Sequence, residues 1–172
     1  MTADGLDLAR LRDLEGRRGY AWIRRGLVVL LAVPVVLGLS GALGQETITR
    51  STSSPQARLE LDAPRVLRGG LMWRAQITVR ARRTIRHPRL ILGAGYVAGM
   101  QLNTIEPSPA SEANRGPRLV FSYDRLSPGD ELVVYLQLQV NPTTSGGQDA
   151  TVTLDDETRP LARVEHTITV LS

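Results

Sequence analysis

The sequence predicts a mainly-β protein, an antiparallel β-sandwich preceded by a single N-terminal transmembrane helix. Three observations carry that expectation. Residues 26–43, GLVVLLAVPVVLGLSGAL, contain no charged residue. From Ala57 onward, apolar and polar residues alternate with a period of two in one segment after another. Clusters of Gly, Pro, Ser, Asn and Asp separate those segments, and no helical period intervenes.

Eighteen uncharged residues at the helical rise reach about 27 Å, close to the thickness of a hydrocarbon core. Backbone polar groups in that layer must pair internally, which predicts a helix, with Pro34 removing one hydrogen bond and kinking it. Tyr20 and Trp22 fall at headgroup level. Arg10, Arg12, Arg17, Arg18, Arg24 and Arg25 all precede the run, whereas Arg50 is the sole basic residue in the dozen after it. The positive-inside rule then predicts a single-pass plasma-membrane protein with a cytoplasmic N-terminus and an extracytoplasmic C-terminal domain. Ser40-Gly41-Ala42 leaves a cleaved secretory signal open as an alternative. The charged region of about twenty-five residues before the run favours an uncleaved anchor. A buried soluble helix is opposed by the length and the arginine flanks. Gly38 with Ala42, and Ser40 with Gly44, have the small-xxx-small spacing that lets membrane helices approach, and are candidate helix contacts.

The expected organisation is a charged cytoplasmic leader over 1–25, the span over 26–43, a Ser/Thr-rich linker over 44–55 and one sandwich over 56–172. About 125 residues outside the leader and span suffice for one core. The chain has no Cys, so the exported domain would use no disulfide, thiolate metal site or thiol nucleophile, nor a lipid-modified cysteine. All 21 basic residues are Arg, which with abundant Ala, Gly and Leu reads as the codon bias of a GC-rich genome and predicts an actinobacterial source. The pI of about 10.3 suggests an anionic partner, but the net charge is only +4 and six arginines belong to the leader, so no nucleic-acid partner is expected.

Within the sandwich, Ala57, Leu59 and Leu61 alternate with Arg58, Glu60 and Asp62. Leu71, Trp73, Ala75, Ile77, Val79 and Ala81 alternate with Met72, Arg74, Gln76, Thr78 and Arg80. Short alternation at Leu119, Phe121 and Tyr123 is followed by a long run at Leu132, Val134, Leu136, Leu138 and Val140, and by Val164, His166, Ile168 and Val170. Each reads as a strand with one buried and one wet face. Less regular candidates are 90–97, 99–105 and 150–154. Turns are expected at 68–70, 107–109, 127–130 and 145–147. Seven or eight short strands in this length make a sandwich.

The run Leu126-Ser127-Pro128-Gly129-Asp130, followed by the alternating Leu132 to Val140 and then Asn141-Pro142-Thr143, resembles the Ig-like, conserved-repeat type domains of Gram-positive and actinobacterial envelope proteins. There an L-x-P-G-[ED] turn precedes the long central strand. The resemblance spans roughly 57–171 and implies an exported Ig-like sandwich on a single-span membrane protein, without implying a function.

His166 falls on the apolar side of the last strand, and His87 in a turn among arginines. With two histidines and no Cys there is no transition-metal spacing, and no nucleophile elbow stands on a strand–helix turn. Gly93-Ala94-Gly95 and Gly99 faintly echo a dinucleotide fingerprint, but no helix run follows, so these glycines are expected to mark a bulge or close backbone approach. Asp155-Asp156-Glu157 reads as a solvated hairpin turn, with calcium as the alternative. Charge is segregated: 63–105 holds eight arginines and no acid, whereas 106–172 holds ten acids and five arginines. Arg74, Arg80, Arg82, Arg83, Arg86 and Arg89 are therefore a candidate patch for an anionic lipid or wall polymer, unless basic and acidic strands pair and offset each other.

These readings converge on a non-enzymatic, cofactor-free, membrane-anchored binding or accessory module of the bacterial envelope. The alternative is a small subunit held to a multispanning membrane protein through its helix. An envelope hydrolase is a third reading, requiring a histidine joined to a nucleophile and an acid in a cleft.

Overall fold

The computed structural model describes residues 17–39 and 47–171. The chain divides into two compact units, Met1–Gly44 and Gln45–Ser172. In the first, α1 runs Arg17–Leu39 and carries Pro34 in its interior. It takes in the end of the expected leader and residues 26–39 of the apolar run, about 21 Å of uncharged helix. The rest of the run, 40–43, lies outside the described residues, as do 1–16 and the candidate contacts Ser40, Ala42 and Gly44. Among the described residues no helix is long and apolar enough to cross a membrane. The large apolar side chains of α1 from Trp22 to Val36 are all exposed, on every face.

The second unit is a β-sandwich whose strands are β1 (Thr47–Ser53), β2 (Ala57–Pro64), β3 (Val66–Arg68), β4 (Met72–Ala81), β5 (Pro88–Leu92), β6 (Met100–Glu106), β7 (Ser111–Arg115), β8 (Arg118–Ser122), β9 (Glu131–Val140), β10 (Gly146–Asp149), β11 (Val152–Asp156), β12 (Arg159–Val164) and β13 (Thr167–Leu171). A single-turn helix, α2 (Gly95–Ala98), joins β5 to β6. The first layer has the order β1-β2-β4-β9-β6 and is antiparallel throughout.

The second layer consists of β12-β11-β5-β8-β7 and β10-β13-β3. These two groups share one long hairpin. Asp149 faces Thr167, Ala150 N–H bonds His166 O at 2.9 Å, and Val152 faces Val164, so the register passes unchanged from β10 to β11 and from β12 to β13. The chain also changes layer directly, since β2 ends at Pro64 and β3 begins two residues later in the other layer. Such bent strands make the corners of a sandwich.

One core fills the space between the layers. Leu59, Leu61, Ile77, Val79, Val134, Leu136 and Leu138 enter from the first layer, and Leu90, Leu92, Phe121, Val152, Leu154 and Ile168 from the second, all essentially inaccessible. Alternation along β2, β4 and β9 places these residues, as their sequence pattern predicts. At one end Trp73 stacks on Tyr96 of α2 with centroids 6.3 Å apart. The Tyr96 hydroxyl donates to Ala150 O at 3.3 Å, and burial raises its pKa.

Five expectations need correction. The sandwich is not wholly antiparallel, because β3 and β13 pair in parallel. The expected linker 44–55 contains the edge strand β1, whose β-branched residues suit a strand although only Ile48 and Thr52 are half-buried. Among the described residues thirteen strands are present rather than seven or eight, since β3, β7, β10 and β12 have too little alternation to be read. The run from Val164 to Val170 is broken at Glu165 and His166, and Asp155 and Asp156 belong to β11 rather than to a turn. The glycine-rich stretch after β5 does mark a close backbone approach. A Cβ on Gly93 would lie 2.6 Å from Asp149 O, and one on Gly95 2.6 Å from Asp149 N.

Candidate functional site

Cross-strand partners share a face, so the ladders fix where each candidate arginine stands. Arg74 and Arg80 are on the outer face of the first layer. Arg80 lies between Arg58 and Glu131 and pairs with Glu131 at 2.8 Å, while Arg58 pairs with Glu60 at 3.1 Å. Arg74 borders a hollow of about 310 Å³ with Thr104, Glu106, Tyr135 and Gln137.

Arg82, Arg83 and Arg86 are exposed on the loop from β4 to β5. That loop is pinned by Ile85, which is fully buried and exchanges backbone bonds with Leu126, and by Arg82 and Arg83 N–H groups on Gln56 O. Arg89 is on the outer face of the second layer, opposite Asp155, with Nη1 donating to Glu157 O at 2.9 Å. The six arginines thus fall in three places. Arg74 and Arg80 share one sheet face, Arg82, Arg83 and Arg86 share a loop, Arg89 stands apart, and Arg80 and Arg89 each stand opposite an acid.

The acidic trio does not converge either. Asp156 Oδ1 accepts from His87 N–H at 2.8 Å, and Glu157 turns the chain with φ 60°. Asp155 is buried on the outer face; burial raises its carboxyl, against the pull of Arg115 and Arg89. Among the described residues no cluster of His and carboxylate side chains could hold a metal ion. Asp149 is also placed among cations. Burial alone would raise it, but bonds from Thr151 and Ala94 and the Arg118 charge hold it below the ordinary carboxylate value.

A different constellation lies where the long hairpin passes from one group of strands to the other. A solvent-open cleft of about 600 Å³ is lined by Arg50, Arg65, Thr151, Arg163, Glu165, His166, Thr167 and Thr169. Arg50 stands opposite Leu61, a core residue, so the edge strand β1 turns an arginine toward the inner side of its sheet. Arg65 is the residue at which the chain changes layer, and its carbonyl accepts from Thr169 N–H at 2.9 Å. His166 is 4% exposed, with Nε2 2.9 Å from Pro64 O. A carbonyl only accepts, so Nε2 carries the proton and Nδ1 is left as a buried acceptor without a partner among the described residues. Burial, with the Arg50 charge beside it, holds the His166 pKa below the ordinary histidine value despite the Pro64 bond. Arg163 pairs with Glu165 at 3.3 Å, both exposed, whereas Arg50 and Arg65 make no ion pair among the described residues.

Sequence reasoning did not assemble this cleft. Arg50 sat in a presumed linker, Arg65 was counted with the basic stretch, and Arg163 was separated from both by about a hundred residues. A histidine on the apolar side of the alternating run 164–170 is the one signal the sequence offers.

Fold and site together define a two-layered β-sandwich domain with polar outer faces and a basic cleft at the layer crossing. No protein-family model matches the chain, and no curated protein matches it. Among solved structures, CaCohA2 from Clostridium acetobutylicum is similar at 12% identity and TM-score 0.47, covering 69% of this chain and 92% of its own. A non-cellulosomal cohesin from the archaeon Archaeoglobus fulgidus gives 12% and 0.42, covering 74% and 92%. The C-terminal domain of wzt gives 15% and 0.43, covering 74% and 79%. At such scores these likenesses carry no inference about ligand or partner, and the fold described above stands on the chain's own strand pairing.

Proposed function

We propose that this chain is a non-enzymatic binding or accessory module, anchored by one helix and displaying its sandwich outside the plasma membrane of a bacterial, on composition actinobacterial, cell. The observation that carries the reading is the uncharged run 26–43 behind six arginines, together with the exposed apolar side chains on all sides of α1. A helix apolar all round calls for a bilayer or a large apolar core, and an uncharged run of eighteen residues has the length to span one. The non-catalytic part of the reading is supported by the histidines. The His166 ring bonds a backbone carbonyl, and among the described residues neither imidazole bonds a hydroxyl or carboxylate.

The test is alkaline carbonate extraction of membranes, followed by protease treatment of intact spheroplasts. The expected result is a full-length chain retained in the pellet, with the sandwich reachable from outside. A shortened soluble chain would establish a cleaved signal, and a full-length soluble chain would overturn the anchor. Crosslinking through position 38 or 42 to a multispanning protein would turn the reading toward a helix-held subunit.

A further inference from the structure

We infer that the cleft between β1 and the long hairpin is a binding site for a phosphate-bearing group, held by the guanidinium groups of Arg50 and Arg65 with Arg163 at its rim. The inference rests on the binding-module reading and names its ligand class, but does not depend on the anchor.

Four observations point to it. The cleft has the volume of a small-ligand site, and its lining includes no large apolar side chain. It therefore suits a compact polar group and offers nothing to an acyl chain or an aromatic ring. Three arginines and one acid line it, and that acid is engaged by Arg163. The planar fork of a guanidinium matches phosphate oxygens two at a time, and Thr151, Thr167 and Thr169 bring hydroxyl donors to the same walls. Finally, Arg50 and Arg65 make no ion pair among the described residues, so both guanidinium groups are free to engage an anion. An inward arginine on an edge strand also discourages pairing with another chain. That role accounts for Arg50 alone, not for Arg65 on the same cavity.

A phosphate-bearing group could come from a lipid headgroup or from a soluble phosphate or phosphodiester. Calorimetric titration separates these. Full-length protein in neutral detergent is titrated with inorganic pyrophosphate, and separately with glycerol phosphate polymer. Saturable binding that weakens with added salt is expected. Arg50→Gln with Arg65→Gln should weaken it about tenfold or more, as loss of charge-assisted bonds does. The Arg50→Lys, Arg65→Lys pair should retain part of the affinity, and Arg74→Gln with Arg80→Gln should leave it unchanged. Thermal unfolding of every variant shows that the fold persists. If micelles doped with phosphatidylglycerol compete with pyrophosphate in wild type alone, a lipid headgroup is the source; if they do not, the group is soluble. No saturable binding by wild type, or binding indifferent to Arg50 and Arg65, overturns the inference. Because these titrations need no membrane, their failure is distinct from failure of the extraction test.

Discussion

Adding one methyl group at Gly95 should loosen the sandwich by a predictable amount. The new Cβ would lie 2.6 Å from Asp149 N, 2.7 Å from Asp149 O and 2.9 Å from Gln148 C. All three are backbone atoms of the long hairpin, so no side-chain rotation can make room. Ordinary contact begins near 3.4 Å, so α2 and β10 must separate by about 0.8 Å, the difference between those distances. Such overpacking costs about 1–3 kcal/mol, and the upper half applies because the obstacle is main chain on both sides. The lost freedom of the unfolded chain returns roughly 0.4–1 kcal/mol. A net loss of about 1–2.5 kcal/mol remains, which for a sandwich of this size lowers the melting temperature by about 4–10 °C. Thermal unfolding of full-length Gly95→Ala, followed by Trp73 fluorescence, measures it. Gly147→Ala is the control, since its Cβ meets only Thr167 Cγ2, at 3.4 Å. If Gly95→Ala melts no lower than Gly147→Ala, the close approach of α2 to β10 is wrong.

Folded His166 has its pKa held below the ordinary histidine value of 6.5, so below that pH the unfolded chain takes up a proton that the fold resists. Stability should therefore fall as the solution is acidified through that range, and His166→Asn should flatten the dependence in denaturant titrations at several pH values. Asp155 has the opposite sense: its folded pKa is raised above 3.8, so its contribution is fully present below that pH and is lost as pH rises through the folded value. Asp155→Asn should be more stable than wild type at pH 7, with the gain vanishing below about pH 4. The Arg80–Glu131 pair is 65% and 41% exposed, and a double-mutant cycle should give at most about 0.5 kcal/mol, abolished by 0.5 M salt. Leu136→Ala, at the fully buried centre of β9, should cost about 2–5 kcal/mol by the same unfolding measurement.

What was legible in the sequence follows from which strands have one wet face. In β2, β4 and β9 the core contacts fall on every second residue, and the bare pattern places them within a few residues of their observed ends. β7, with all five residues exposed, and β10, with a Gly-Gly start, bury too little to leave a period. β1 looks like a linker because an edge strand needs only Ile48 and Thr52 half-covered. The arginines show the same limit. Nearness between 74 and 89 suggests a patch, but alternation, a loop and a change of layer spread those residues over three surfaces. Residues 50, 65 and 163 meet only because β1 pairs with β2, the chain crosses between layers, and β12 runs into β13, and none of those pairings is written in local pattern.

The parallel pairing of Val66–Arg68 with Thr169–Leu171 also sets the order in which this domain can be completed. It joins segments more than a hundred residues apart, so loop-closure entropy must be met before those bonds form. Local hairpins such as β7–β8 and β11–β12 can form early, and the closing step waits for β13. For a domain synthesised from its N-terminal end, the sandwich would stay open until nearly the whole of it had been made. Refolding of a variant carrying Pro at 169, which removes the Thr169 N–H bond to Arg65 O beside the parallel pair, should then be slowed together with the global transition rather than in a separate local phase.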